Sequence, residues 1–179
     1  MFRRSILATK TRHKCFISYH SDDEGEVGDF IDEFDHSRDV FISRGIGASM
    51  AEIIESENDD YIKRCIRENY LNDSTVTIVM IGASTWSRKF VDWEIAASLR
   101  NTANSRRNGL LAIALPSAGA NLLPARFEDN YNSDGTGYAD FIEYPSNADE
   151  LAAAIETSFS KRTTHGHLVN NSRPLRKRN

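Results

Sequence analysis

Apolar and polar positions divide the chain into alternating strand-like and helix-like segments. Residues 14–19, K-C-F-I-S-Y, form a short apolar run that ends in the polar cluster His20, Ser21, Asp22 and Asp23. Val27, Phe30, Ile31 and Phe34 then recur at the i, i+3, i+4, i+7 spacing of one helix face, which predicts a helix over residues 24–36 with acidic side chains outward. A second short strand is predicted at residues 40–43, followed by the loop Arg44-Gly45-Ile46-Gly47. A helical segment with Tyr61, Ile62, Cys65 and Ile66 inward then reaches residue 70, its start falling anywhere from Ser56 to Asp60.

The strongest strand signal is residues 75–81, T-V-T-I-V-M-I. An uninterrupted run rich in Val, Ile and Thr suits a central parallel strand covered on both faces. The small-residue turn Gly82-Ala83-Ser84-Thr85 leads into a helix whose stripe is Val91, Ile95 and Leu99. At about 100° per residue, Glu94 falls at the border of that stripe, where core is expected to give way to solvent. Residues 109–115 predict a fourth strand stopped by Pro116, and residues 140–144 a short fifth. Between them, residues 117–140 are rich in Gly, Asn, Asp and Ala without a period, which predicts a surface excursion. The last helix is expected to open on Ser146 as cap with Asp149 three residues on, and to pack through Leu151, Ile155 and Phe159.

Strands alternating with helices predict an α/β, flavodoxin-like three-layer sandwich. Its parallel sheet of five strands takes the order 2-1-3-4-5, the common solution at this size. That order opens a crevice at the C-terminal ends of strands one and three, where loops 20–23 and 82–86 would meet. One domain over residues 14–160 is expected, between a basic arm (1–13) and a basic tail (161–179) whose composition is that of a disordered segment.

Charge sharpens this division. The net charge is −4, yet residues 1–14 carry five basic and no acidic side chains and residues 161–179 carry six and none, leaving 11 basic against all 26 acidic groups between them. A body at −15 is a poor partner for nucleic acid. No apolar run approaches the ~20 residues of a membrane span. Cys15 and Cys65 lack metal or redox spacing and read as small core residues in a reducing compartment, so a cytoplasmic protein is expected.

Several chemistries are excluded. A dinucleotide fingerprint belongs after the first strand, whereas Gly45-Ile46-Gly47 follows the second and position 50 is Met. There is no phosphate-binding Gly-Lys-Ser or Gly-Lys-Thr, no aspartate ending the third strand as a phospho-accepting receiver needs, no nucleophile elbow and no zinc spacing. What remains is Glu94 with Tyr19, Trp86, Phe90 and Trp93 close to it in the pattern. An acidic residue early in a helix also has an ordinary reading, as a complement to the helix dipole. The ordinary readings of the other residues are core or interface for Trp86, Phe90 and Trp93, a solvated loop or helix cap for Asp22 and Asp23, and partner of a surface carboxylate for Arg44.

The opening F-I-S-Y-H-S-D-D and the segment S-T-W-S-R-K-F-V-D-W-E-I, with an aromatic residue four before the glutamate, resemble TIR domains. More narrowly they are similar to the TIR-like proteins of bacterial Thoeris antiphage defence, the ThsB type. The resemblance covers about residues 14–160. It implies cleavage of NAD, as substrate with no further cofactor, at the nicotinamide ribosidic bond, with Glu94 as the catalytic residue. Ser18, Tyr19 and His20 would line the nicotinamide side, with Ser84 in the facing loop, Trp86 or Phe90 against the cationic ring, and Arg44 at the pyrophosphate. Nicotinamide departs from a ring already positively charged, so a lone carboxylate suffices where a glycosidase needs two. The resemblance further implies self-assembly or a homo-oligomer, and a cyclic ADP-ribose product that activates an effector such as ThsA. A TIR-like interaction module without turnover and a nucleoside deoxyribosyltransferase-like enzyme are the alternatives.

Overall fold

The computed structural model describes residues 11–46, 57–103, 105–119 and 122–179. The first ten residues of the basic arm, and residues 47–56 in which the loop after the second strand and the next helix were expected to join, lie outside these. Five strands form one sheet in the order β2-β1-β3-β4-β5. They are β1 Lys14–Ser18, β2 Ile42–Arg44, β3 Val76–Ile81, β4 Gly109–Ala114 and β5 Asp140–Ile142, and every neighbouring pair is parallel. This is the flavodoxin-like α/β order expected from the alternation of elements.

Strand parity assigns each side chain to a layer. Cys15 and Ile17 of β1, with Val76, Ile78 and Met80 of β3, pack under α1 (Glu24–Ile31) and α5 (Ala148–Thr164). Phe16 faces the other way, onto Ile62 and Ile66 of α2 (Asp59–Ile66) and Trp93 of α3 (Lys89–Ser98). Val79 and Ile81 meet Val91, Ile95 and Leu99 of α3 and Phe127 of the short α4 (Ala125–Glu128). Both α1 and α2 end in wide π-type turns, Asp32–Ser37 and Arg67–Leu71. Because β3 is central, all six of its residues are buried, which is why its sequence is continuously apolar instead of alternating.

Three expectations are corrected. The cap of α5 is Asn147, whose Oδ1 accepts from the Glu150 amide at 2.9 Å, while Ser146 donates to the Glu150 carboxylate. Residues 122–140 are a surface excursion only at 132–136, which are exposed: Arg126, Phe127, Tyr138 and Ala139 are buried. That stretch is held by Lys161, whose ammonium donates to the carbonyls of Gly135 and Gly137 and to the Asp140 carboxylate. Such pinning leaves no hydrophobic period to read.

The tail is likewise ordered. Helix α5 continues to Thr164, and the chain then runs as a strap to Asn179 along α3 and α4. Asn130 exchanges side-chain bonds with the backbone of Asn170, and Asn171 donates to the Ala96 carbonyl. Arg126 donates to Asn171 and to the Pro174 carbonyl, and the Trp93 indole donates to the Arg176 carbonyl at 2.9 Å. A basic, period-free composition suggested disorder because the attachment is mostly polar, through amides, carbonyls and the Arg173–Asp129 ion pair, with Val169 and Leu175 packing on the core.

Candidate functional site

Ser18 ends β1 in register with Val79 of β3, and its parity turns it toward α3. There its hydroxyl donates to Glu94 Oε2 at 2.5 Å. Glu94 is only 3% exposed, well inside the border position expected from the helical stripe. The difference arises because α3 is covered on nearly every side: Val91 through Ala96 and Ser98 are all buried. Burial pushes the Glu94 carboxyl up to about 8, against the opposing pull of the Ser18 hydroxyl. With no cation beside it, the carboxyl is therefore mostly protonated at neutral pH.

A buried polar chain fixes the helix beneath this carboxyl. Thr77 of β3 bonds Ser98 at 2.7 Å, and Ser98 donates back to the Glu94 carbonyl at 2.7 Å. Asn108 adds a bond to Thr77 at 3.1 Å. The head of α3 has no side-chain cap of its own; the Lys89 amide instead donates to Asn179 Oδ1 of the strap at 2.9 Å.

The two loops expected to meet at the switch point do so. Gly82 abuts the Asp23 carboxylate so closely that a Cβ there would fall 2.2 Å from it. Thr85 Oγ1 accepts from the Gly82 amide at 2.8 Å and donates to Asp23 at 3.3 Å. Asp23, read from sequence as a solvated loop residue or helix cap, stands at the N-cap position of α1 but is buried, and that burial raises its carboxyl despite the Thr85 bond. Asp23 and Thr85 are structural members of the site that sequence reasoning missed; nothing in the polar cluster 20–23 marks which carboxylate turns inward.

Tyr19 lies half-buried beside this centre. Its phenol is raised by burial and then by the Glu24 and Glu94 carboxylates. His20 accepts at Nδ1 from the Asp22 amide at 3.0 Å, capping the short turn Ser21–Asp23. Ser84 opens the turn Thr85–Ser87 and accepts from Ser87 through its carbonyl. Phe90 packs edge-on to Trp93 at 5.3 Å, with Lys89 5.0 Å over its ring. Ser18, Tyr19 and Glu94 are thus brought together. Arg44 instead points back along the sheet, with Nε 3.0 Å from Asp73, which also holds Lys14. Trp86 is 42% exposed and shares a hollow with Arg88 and Asp92.

A flavodoxin-like sheet with a glutamate buried against the end of its first strand defines a TIR-like α/β protein. The family model for the Thoeris protein ThsB, TIR-like domain, matches residues 16–120. The chain therefore belongs to the TIR-like family of Thoeris ThsB proteins and is a Thoeris defence-related protein. A comparison with curated proteins finds none that matches. Among the described residues, no helix is long and apolar enough to cross a membrane.

Proposed function

We propose that the protein cleaves NAD at the nicotinamide ribosidic bond and produces a cyclic ADP-ribose signal nucleotide in antiphage defence. The observation that carries this reading is the Glu94 carboxyl, buried at the sheet's switch point and held by Ser18 at 2.5 Å. Burial alone makes this carboxyl a weak acid. A pyridinium ring entering beside it reverses that penalty, because an opposite charge within a few ångströms favours the ionised form. The carboxylate then stands where positive charge gathers on the ribose as the carbon–nitrogen bond breaks and neutral nicotinamide leaves with the bonding pair. Its roles are to orient the sugar hydroxyls and to stabilise the oxocarbenium-like transition state. Attack by another nucleophile of the same molecule closes a ring; attack by water yields linear ADP-ribose.

The product would act on an effector of the ThsA kind, and assembly of several copies would complete the pocket. The test is incubation of purified protein with NAD over a range of protein concentrations, with and without infected-cell extract, and mass spectrometry of the products. Glu94→Ala is expected to lower nicotinamide release by about 100-fold or more while retaining the fold. Equal turnover by wild type and variant removes the catalytic role. Absence of nicotinamide release in every condition favours a TIR-like interaction module, and turnover of deoxynucleosides in place of NAD favours a deoxyribosyltransferase-like enzyme.

A further inference from the structure

On α3, Asp92 and Glu94 are two residues apart and point about 200° away from each other around the helix axis. On the Asp92 side a hollow of about 250 Å³ lies between the head of α3 and the strap, lined by Trp86, Arg88, Asp92, Arg173, Pro174 and Arg176 among others. The geometry points to this hollow as a second ligand site, one that takes a phosphate-bearing aromatic molecule of mononucleotide size.

Charge is the first argument. Asp92 is the one acid in the lining, and it is already committed: Arg126 donates to both of its oxygens at 2.8 and 3.2 Å, and the Arg176 amide adds a bond at 2.8 Å. Asp129 likewise engages Arg173 through two bonds of 2.7 Å. Arg88 and Arg176 remain. The carboxylate nearest to Arg88 is Asp22 at 3.9 Å, and Arg176 has no carboxylate within ion-pair distance among the described residues. Arg176 spends its guanidinium on carbonyls only, Nε donating to Arg178 at 3.0 Å and Nη1 to Trp86 at 3.5 Å, so the two groups border the hollow with neutral partners and one distant, exposed carboxylate.

The second argument is an unpaired donor. Arg88 Nε is buried without a hydrogen-bond partner, alone in this among the side-chain atoms of the described residues. Leaving a charged donor unmatched is unfavourable, a penalty that an anion drawing the Arg88 side chain into the hollow would relieve. The third is Trp86, 42% exposed at the hollow's edge, an indole face available for stacking on a base. Size selects among anions: the volume lies just below the ~300 Å³ at which pockets for drug-sized ligands begin. An open hollow of this volume suits a mononucleotide better than a dinucleotide. Because Arg173, Pro174 and Arg176 belong to the strap, an occupant would join the strap to the head of the helix that carries Glu94.

The experiment is calorimetric titration of the full chain with ADP at low salt, with AMP and inorganic pyrophosphate as parallel probes. Saturable ADP binding is expected, and Arg88→Ala and Arg176→Ala should each weaken it about tenfold. Trp86→Ala should weaken ADP while sparing pyrophosphate. Arg38→Ala, an equal loss of charge at the end of the α1 extension, and Glu94→Gln should each leave ADP affinity unchanged. Circular dichroism of every variant confirms that it folds. The site is overturned by absence of saturable ADP binding to wild type, by undiminished binding to Arg88→Ala, by an equal loss in Arg38→Ala, or by loss of binding in Glu94→Gln, which would put ADP in the crevice.

Discussion

Replacing Glu94 by glutamine removes one titrating proton from the protein interior and keeps the side chain's shape. The wild-type carboxyl is raised from an ordinary 4.5 to about 8 by burial. Between those values the folded chain holds a proton that the unfolded chain releases, so the residue's contribution to stability falls as pH rises through this window. Each pKa unit is worth about 1.4 kcal/mol, so relative to a permanently neutral group the penalty is about 1 kcal/mol at pH 5, about 3 at pH 7 and about 5 at pH 9. Glu94→Gln escapes it. Urea unfolding of both proteins at these pH values should show the variant gaining on wild type by about 4 kcal/mol from pH 5 to pH 9. All other titrating groups cancel in the difference. A gap that stays constant within about 1 kcal/mol would show that the carboxyl ionises as freely as a solvated one, and the chemistry assigned to its burial would fall with it.

Gly82→Ala should destabilise the fold by about 1–3 kcal/mol, because the added methyl collides with Asp23; in Asp23→Ala the same substitution should cost far less, a coupling that thermal melts of the four-member cycle resolve. Arg126→Ala should cost about 3–5 kcal/mol in chemical denaturation, since it strands the buried Asp92 carboxylate and cuts two bonds to the strap. Ending the chain after Asn171 should lower the melting temperature and shift tryptophan emission to the red, because Trp93 loses its Arg176 partner and the cover of Leu175. Unchanged emission from the shortened protein would contradict that packing.

The sheet order was legible because it depends on alternation and on one continuously apolar strand, properties that local sequence carries. Glu94 was legible for the same reason: it follows that strand and a small-residue turn. Its depth was not, since a helical stripe describes one neighbour surface, whereas α3 is enclosed by sheet, α2, α4 and strap together. Ser18 was named, but its donation to Glu94 links residues 76 apart and has no local signature. Arg126 was invisible for a similar reason. A lone arginine in an aperiodic stretch gives no sign that its carboxylate partner sits 34 residues earlier on another element. Arg44, which the resemblance placed at the pyrophosphate, turns toward Asp73 instead, the surface-carboxylate pairing of its ordinary reading, and spacing does not encode which of the two partners it takes.

The bond between Lys89 and Asn179 spans 90 residues. During vectorial synthesis the glutamate-bearing helix emerges first and waits, its leading amide uncapped and its indole N–H unpartnered, until that distant stretch leaves the ribosome. For that interval the nascent chain presents a greasy, half-finished flank.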